Sequence, residues 1–115
     1  MATTDQTSDI FIKNSTVEWE YADEGIERKI LGYDGELMLV RAKFEQDAVG
    51  QAHSHPHRQV TYVESGKFEV HIDGDTETLQ QGDSFYVPPH AEHGAVAVEA
   101  GILLDIFNPV REDFL

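Results

Sequence analysis

His53 to Gln59 reads HSHPHRQ, which puts three histidines and a glutamine at every second position of seven residues. In an extended strand, side chains two apart share a face, so His53, His55, His57 and Gln59 would project together. A face of this kind makes poor hydrophobic core, whereas imidazole suits Zn, Cu, Fe and Ni. A polar rim of ordinary surface histidines is the plain alternative for any one of them. Three of the chain's six histidines fall in this heptad, and that clustering favours a metal site. Three consecutive same-face histidines are spread too far along one strand to share an ion. Pro56 cannot donate to a ladder and suggests a bulge that breaks the alternation, so His57 is expected to be spared as a ligand.

The rest of the chain alternates like short strands. Met38, Val40, Ala42 and Phe44 share one face of ELMLVRAKFE, and Phe68, Val70 and Ile72 share one face of KFEVHID, leaving His71 toward solvent. IFIKN at 10–14 is read as the first strand, and SFYVPP, GAVAVEA and GILLDIF as three late ones. Tyr33-Asp34-Gly35, Asp73-Gly74 and Gln81-Gly82-Asp83 supply turns. No stretch carries a long, capped pattern of helical period. The expected fold class is all-β, an antiparallel sandwich or barrel in a single domain over 10–115, with residues 1–9 as a flexible N-terminal segment.

With 115 residues and 40% hydrophobic content, one core is possible and a second domain is not expected. The absence of cysteine leaves only N and O ligands for a metal. Twenty-two acidic residues against eight basic ones give a formal charge of −14, which argues against nucleic acid and anionic membrane surfaces as partners. No segment resembles a signal peptide or a spanning run, so a cytoplasmic protein is expected. An anionic ligand would need positive charge supplied locally.

A second cluster lies in GDSFYVPPHAEHG, Gly82 to Gly94, where a double proline forces an extended corner ahead of His90 and His93. Near the end of the chain, Leu103, Asp105 and Phe107 share a strand face. An aspartate between apolar neighbours costs stability unless it is paired or functional, and an Asp105–Arg111 ion pair closing a barrel end is the structural alternative.

His53-x-His55-x3-Gln59-x6-Gly66 resembles the first motif of the cupin family, and Gly82-x5-Pro88-x4-His93 is similar to the second. The span from Trp19 to Leu115 resembles the pectin-degradation subgroup of cupins, through ELMLV, HSHPHRQVTYV, SGKFE, IDGD, GDSFYVPP, EHG and LLDIFNPVREDFL. The resemblance implies a small antiparallel β-barrel or jelly roll, open at one end, with a divalent transition metal (Zn, Ni, Fe, Mn or Co) inside. Its ligands would be His53, His55, Gln59 and His93, and the active-site residues beyond the metal would be Asp105, Phe107 and Arg111. The implied activity converts 4,5-unsaturated monouronates, released by pectin or alginate lyases, to their linear ketonised forms, with a small anionic sugar as substrate. A homodimer is implied as well, joined through the N-terminal strand.

Three departures accompany the match. Gly50 stands closer to His53 than the pattern asks, His90 stands where glycine is common, and Ala97 replaces the usual asparagine. A fourth touches chemistry, because Gln59 takes the place of the usual glutamate. Three imidazoles and an amide are all neutral, so a divalent ion would keep its full charge toward an anionic or oxygen-rich ligand. Asp105 would act as the acid–base group and Arg111 as the carboxylate anchor, with Phe107 packed on the sugar ring. A metal dioxygenase and a non-catalytic sugar-binding cupin are open alternatives on the same ligand set.

Overall fold

The structure is a computed structural model describing residues 6–115. Residues 1–5 of the expected flexible segment lie outside the described residues. Eight strands follow a 3-10 turn at Asn14–Thr16: β1 Glu20–Asp23, β2 Ile26–Tyr33, β3 Met38–Phe44, β4 Val49–His53, β5 Arg58–Ile72, β6 Asp75–Gln80, β7 Ser84–Val87 and β8 His93–Asn108. A second 3-10 turn at Glu112–Phe114 ends the chain. Every pairing is antiparallel, in the order β1-β2-β3-β8-β5-β6, with β4 on β8 and β7 on β5. The expected all-β cupin architecture is what forms.

Alternation decides which face turns inward. Met38, Val40, Ala42 and Phe44 are all buried, and the residues between them are not. Phe68 and Val70 join them from β5, and Phe68 meets Phe44 edge to face at 5.2 Å between ring centres. A smaller cluster of Met38, Val40, Phe107 and Val110 forms one end of the interior. The turns obey local chemistry. Asp34 Oδ1 accepts from the backbone N–H of Glu36 and Leu37, at 2.8 and 3.1 Å, which fixes the β2–β3 hairpin. Asp73 and Gly74 both take positive φ, the requirement of a type I′ hairpin turn.

Two expectations change. Residues 10–13 are not a strand; β1 is what pairs with β2, and Ile10 and Phe11 stand 90% and 89% exposed with no core to pack on. GAVAVEA and GILLDIF are halves of one strand, β8, which pairs along nearly all of β5. The register slips around Ser65, where Gly66 (φ +85) faces Gly101, and the two long strands bend there together. A Cβ at Gly66 would lie 2.5 Å from the Ala100 carbonyl oxygen and 2.6 Å from Gly101 Cα. Gly66→Ala is expected to lower stability by about 3 kcal/mol in urea denaturation, from left-handed strain plus a backbone clash. Gly74→Ala has the same sign of φ but no atom within 4 Å, and is expected to cost only about 1 kcal/mol.

The N-terminal stretch lies across the outer face. Ser8 exchanges hydrogen bonds with the Tyr33 backbone, and buried Lys29 donates to Asn14. Trp19, which carries no signal as an isolated residue in the sequence, collects the cations of Lys43 and Lys29 at 4.4 and 4.8 Å from its ring. No helix among the described residues is long and apolar enough to cross a membrane.

Candidate metal centre and active site

HSHPHRQ is not one strand. His53 is the last residue of β4, the chain turns through 54–57, and β5 begins at Arg58. In place of the bulge expected at Pro56 the chain leaves strand geometry and bends over residues 54–57, and this brings the histidines together where a straight strand would string them out. His53 is the cross-strand partner of His93 at the start of β8. One ligand atom from each of His53, His55 and His93 lies within 4.8 Å of the other two.

The three rings are oriented the same way. Nδ1 of His53, His55 and His93 meets the carbonyl oxygens of Gln51, His57 and Ala91 at 2.9, 3.1 and 3.0 Å. A carbonyl only accepts, so each Nδ1 carries the proton and each Nε2 presents a lone pair. Burial pushes His93 down to about 4 and lowers His55 as well, keeping both imidazoles neutral at pH 7. Neutral rings whose far nitrogen is tied to backbone are the form in which histidine ligates a metal.

Gln59 completes the cluster. Its Oε1 lies 3.0 Å from His55 Nε2, so two lone-pair atoms face each other, an arrangement that suits a shared cation. Its amide Nε2 donates to Thr61 Oγ1 at 2.9 Å and lies 3.4 Å from Asp105 Oδ1, while the Thr61 hydroxyl donates to Asp105 Oδ1 at 2.6 Å. The chain of bonds sets the amide so that its oxygen turns to the histidines. It also gives a reason for glutamine at this position: a glutamate would set a second carboxylate against Asp105. The residues present therefore fit a divalent ion held by three imidazole nitrogens and one amide oxygen.

Asp105 reaches inward from β8, opposite Thr61 of β5. Burial pushes its carboxyl up to about 6, against the pull of the Thr61 hydroxyl and of the Arg111 charge. A carboxyl in that range exchanges protons near neutral pH. The Asp105–Arg111 ion pair does not form. Arg111 Nε and Nη2 donate instead to Asp113, at 3.1 and 2.8 Å, because Asp113 sits two residues away on the closing turn while Asp105 is held by Thr61. Arg111 is buried, its guanidinium carbon 4.3 Å from the ring centre of Phe114 and 5.1 Å from that of Phe107. Phe107 is also buried, packed edge-on against His55 and Phe114.

His57 stays out of the cluster, yet it is not an exposed rim residue. Its Nε2–H donates to the Val110 carbonyl at 3.2 Å, which ties the histidine turn to the segment carrying Arg111. Its Nδ1 is buried without a partner. His90 adopts φ +68 and donates its backbone N–H to the His55 carbonyl at 2.7 Å, so the position favours glycine for conformational reasons and acts through its backbone. Sequence reasoning missed Thr61 and Asp113. Thr61 was readable, lying two residues past Gln59 on the same strand face; the pairing of Asp113 with Arg111 was not.

His53, Gln59, His93, Asp105, Phe107 and Arg111 line one cavity of about 140 Å³. A larger cleft of about 560 Å³, between β1 and the Gly66–Gly101 crossing, is lined by no histidine and holds none of this chemistry.

Comparison with known proteins agrees with this geometry. Residues 40–107 match the cupin domain family model. The chain is 41% identical over 107 residues to the pectin degradation protein KdgF of Dickeya dadantii (strain 3937), covering 91% of this chain and 96% of that one. Among solved structures, an RmlC-like cupin from Shewanella frigidimarina superposes with a TM-score of 0.94 at 46% identity, covering 96% of this chain and 99% of its own. KdgF from Halomonas sp. superposes with a TM-score of 0.90 at 41% identity, covering 94% and 100%.

Proposed function

The chain belongs to the cupin domain family, with KdgF proteins among its relatives, and from that premise we propose that it is a metal-dependent enzyme of pectin breakdown. Its substrate in this reading is a 4,5-unsaturated monouronate from pectin or alginate, which it isomerises to the linear keto form. The carrying observation is the cluster of His53, His55 and His93, with the Gln59 amide oxygen beside it, at a cavity that Asp105 and Arg111 also line. The same reading makes the protein a cytoplasmic homodimer with no part for nucleic acid or membrane.

His53, His55, Gln59 and His93 would hold the divalent ion, which would supply Lewis acidity toward substrate oxygens. Arg111 binds the substrate carboxylate through two parallel donors, offsetting locally the repulsion of a strongly acidic chain. Asp105, as carboxylate, takes the proton of the anomeric hydroxyl. The C1–O5 bond breaks as the C1 carbonyl forms, and its electron pair leaves on O5 as the enolate at C5. Asp105 then delivers that same proton to C4 as the enolate becomes the C5 ketone, which returns Asp105 to the carboxylate. The sum is an isomerisation that needs no outside oxidant or reductant. Thr61 and Gln59 hold the Asp105 carboxyl in place through Oδ1, leaving Oδ2 for the proton, and Phe107 forms the apolar wall that limits water.

An NMR time course of freshly generated unsaturated galacturonate and mannuronate tests this. With protein, the alkene proton signal is expected to vanish faster than in the spontaneous reaction, and a chelator is expected to slow it. Equal rates with and without metal-loaded protein, for both sugars, would overturn the assignment. Oxygen uptake measured alongside would then point to a dioxygenase.

A further inference from the structure

Arg111 is the one residue with a fixed positive charge among the described residues lining the metal-side cavity, and its fork is engaged. Nε and Nη2 make two parallel bonds to Asp113 Oδ1 and Oδ2, the geometry a ligand carboxylate would use. The two partners are unequally held. The Arg111 side chain is 11% exposed and stacks against Phe107 and Phe114, whereas the Asp113 side chain is 59% exposed on a three-residue turn. Among the described residues only Arg111 donates a side-chain hydrogen bond to the Asp113 carboxylate. The aromatic rings of Phe107 and Phe114 give the guanidinium contacts that do not depend on Asp113.

Resting on the reading that Arg111 receives the ligand's carboxylate, we propose that Asp113 is an internal stand-in for it. Asp113 occupies the fork in the free protein and swings into solvent when a sugar carboxylate takes its place.

Two consequences follow from the charges. A buried guanidinium without a partner is costly, so Asp113 satisfies Arg111 whenever no ligand is bound. Binding becomes an exchange of one carboxylate for another, with the local charge unchanged in an otherwise strongly acidic chain. Only a ligand with two coplanar oxygens repeats both bonds, so a neutral sugar gains nothing at Arg111 while Asp113 is there. The exchange thus selects for acids through competition as well as attraction.

The test uses metal-loaded wild type, Asp113→Asn and Asp113→Glu, titrated with galacturonate, which lacks the reactive alkene, and with galactose as its neutral counterpart. Calorimetry gives the affinities and the Arg111 Nε–Hε resonance reports the fork. Asp113→Asn is expected to tighten galacturonate binding by about two- to fivefold, the range of a partly exposed ion pair, with galactose unaffected. Asp113→Glu is expected to restore wild-type affinity. Unchanged or weakened galacturonate binding in Asp113→Asn would overturn the inference. Turnover of unsaturated uronates, measured separately, keeps the two readings apart. Tightened binding without turnover leaves this inference standing and removes the enzymatic one, whereas turnover with unchanged affinity does the reverse. Galacturonate binding to none of the three proteins removes the anchor role of Arg111 and this inference with it.

Discussion

His93→Ala is expected to abolish bound metal and to lower the protein-dependent rate of uronate ring opening by about 10²- to 10³-fold. The magnitude follows from losing the several kcal/mol of charge stabilisation that a Lewis acid supplies to a developing oxyanion. His93 is the natural residue to remove, because it alone joins the cluster from β8, so its loss leaves the β4–β5 turn with two imidazoles and one amide. Metal content by elemental analysis is the first readout and does not depend on the reaction. Retention of one equivalent of metal by His93→Ala would show that the ion sits elsewhere. A chelator should reproduce the rate loss in wild type, and added metal should restore it there but not in the variant.

Asp105→Asn is expected to lower the rate by about 10²- to 10⁴-fold while bound metal is retained, because the amide keeps the shape and cannot exchange protons. The same substitution should stabilise the metal-free protein at neutral pH. The Asp105 carboxyl titrates near 6 when folded, against 3.8 for an ordinary aspartate. Above 6 the charged form pays its full burial penalty, and below 3.8 the group is protonated in both states and the penalty is gone. Wild type therefore loses roughly 2–3 kcal/mol at pH 7 that Asn does not lose, and the gap closes as pH falls from 6 to 4. His93 works in the opposite sense. Its folded pKa is depressed to about 4, so its contribution is present above 6.5 and fades as pH drops toward 4. The two effects partly cancel in wild type, so urea denaturation of the pair of proteins at pH 7 and pH 4 is the informative comparison. An equal stability difference at both pH values would refute the buried-carboxyl account.

Much of the strand content was legible because side chains alternate with period 2. The inward sets of β3 and β5 follow from that rule, as do the turns at Asp34 and at Asp73-Gly74, where local hydrogen bonding or a positive φ decides the outcome. IFIKN is as rich in strand-forming residues and is not a strand: Ile10 and Phe11 find no core to pack on and stand exposed. The late run from His93 to Asn108 reads as two strands because glycine marks breaks in sequence. In the fold, Gly101 marks the place where two backbones cross too closely for a side chain.

From its sequence alone the chain determined its class, its core-facing positions and the residue types available to a site: nitrogen and oxygen ligands, one inward aspartate and a late arginine. These depend on local period and composition. Tertiary structure decided which of those groups meet. It broke HSHPHRQ between two strands so that His53, ending β4, faces His93 across strands, and it linked Gln59 through Thr61 to Asp105. It also gave the Arg111 fork to Asp113 rather than Asp105. Such contacts depend on strand pairing between residues up to some forty positions apart, and on hydrogen-bond competition at distances near 3 Å, which no one-dimensional period encodes.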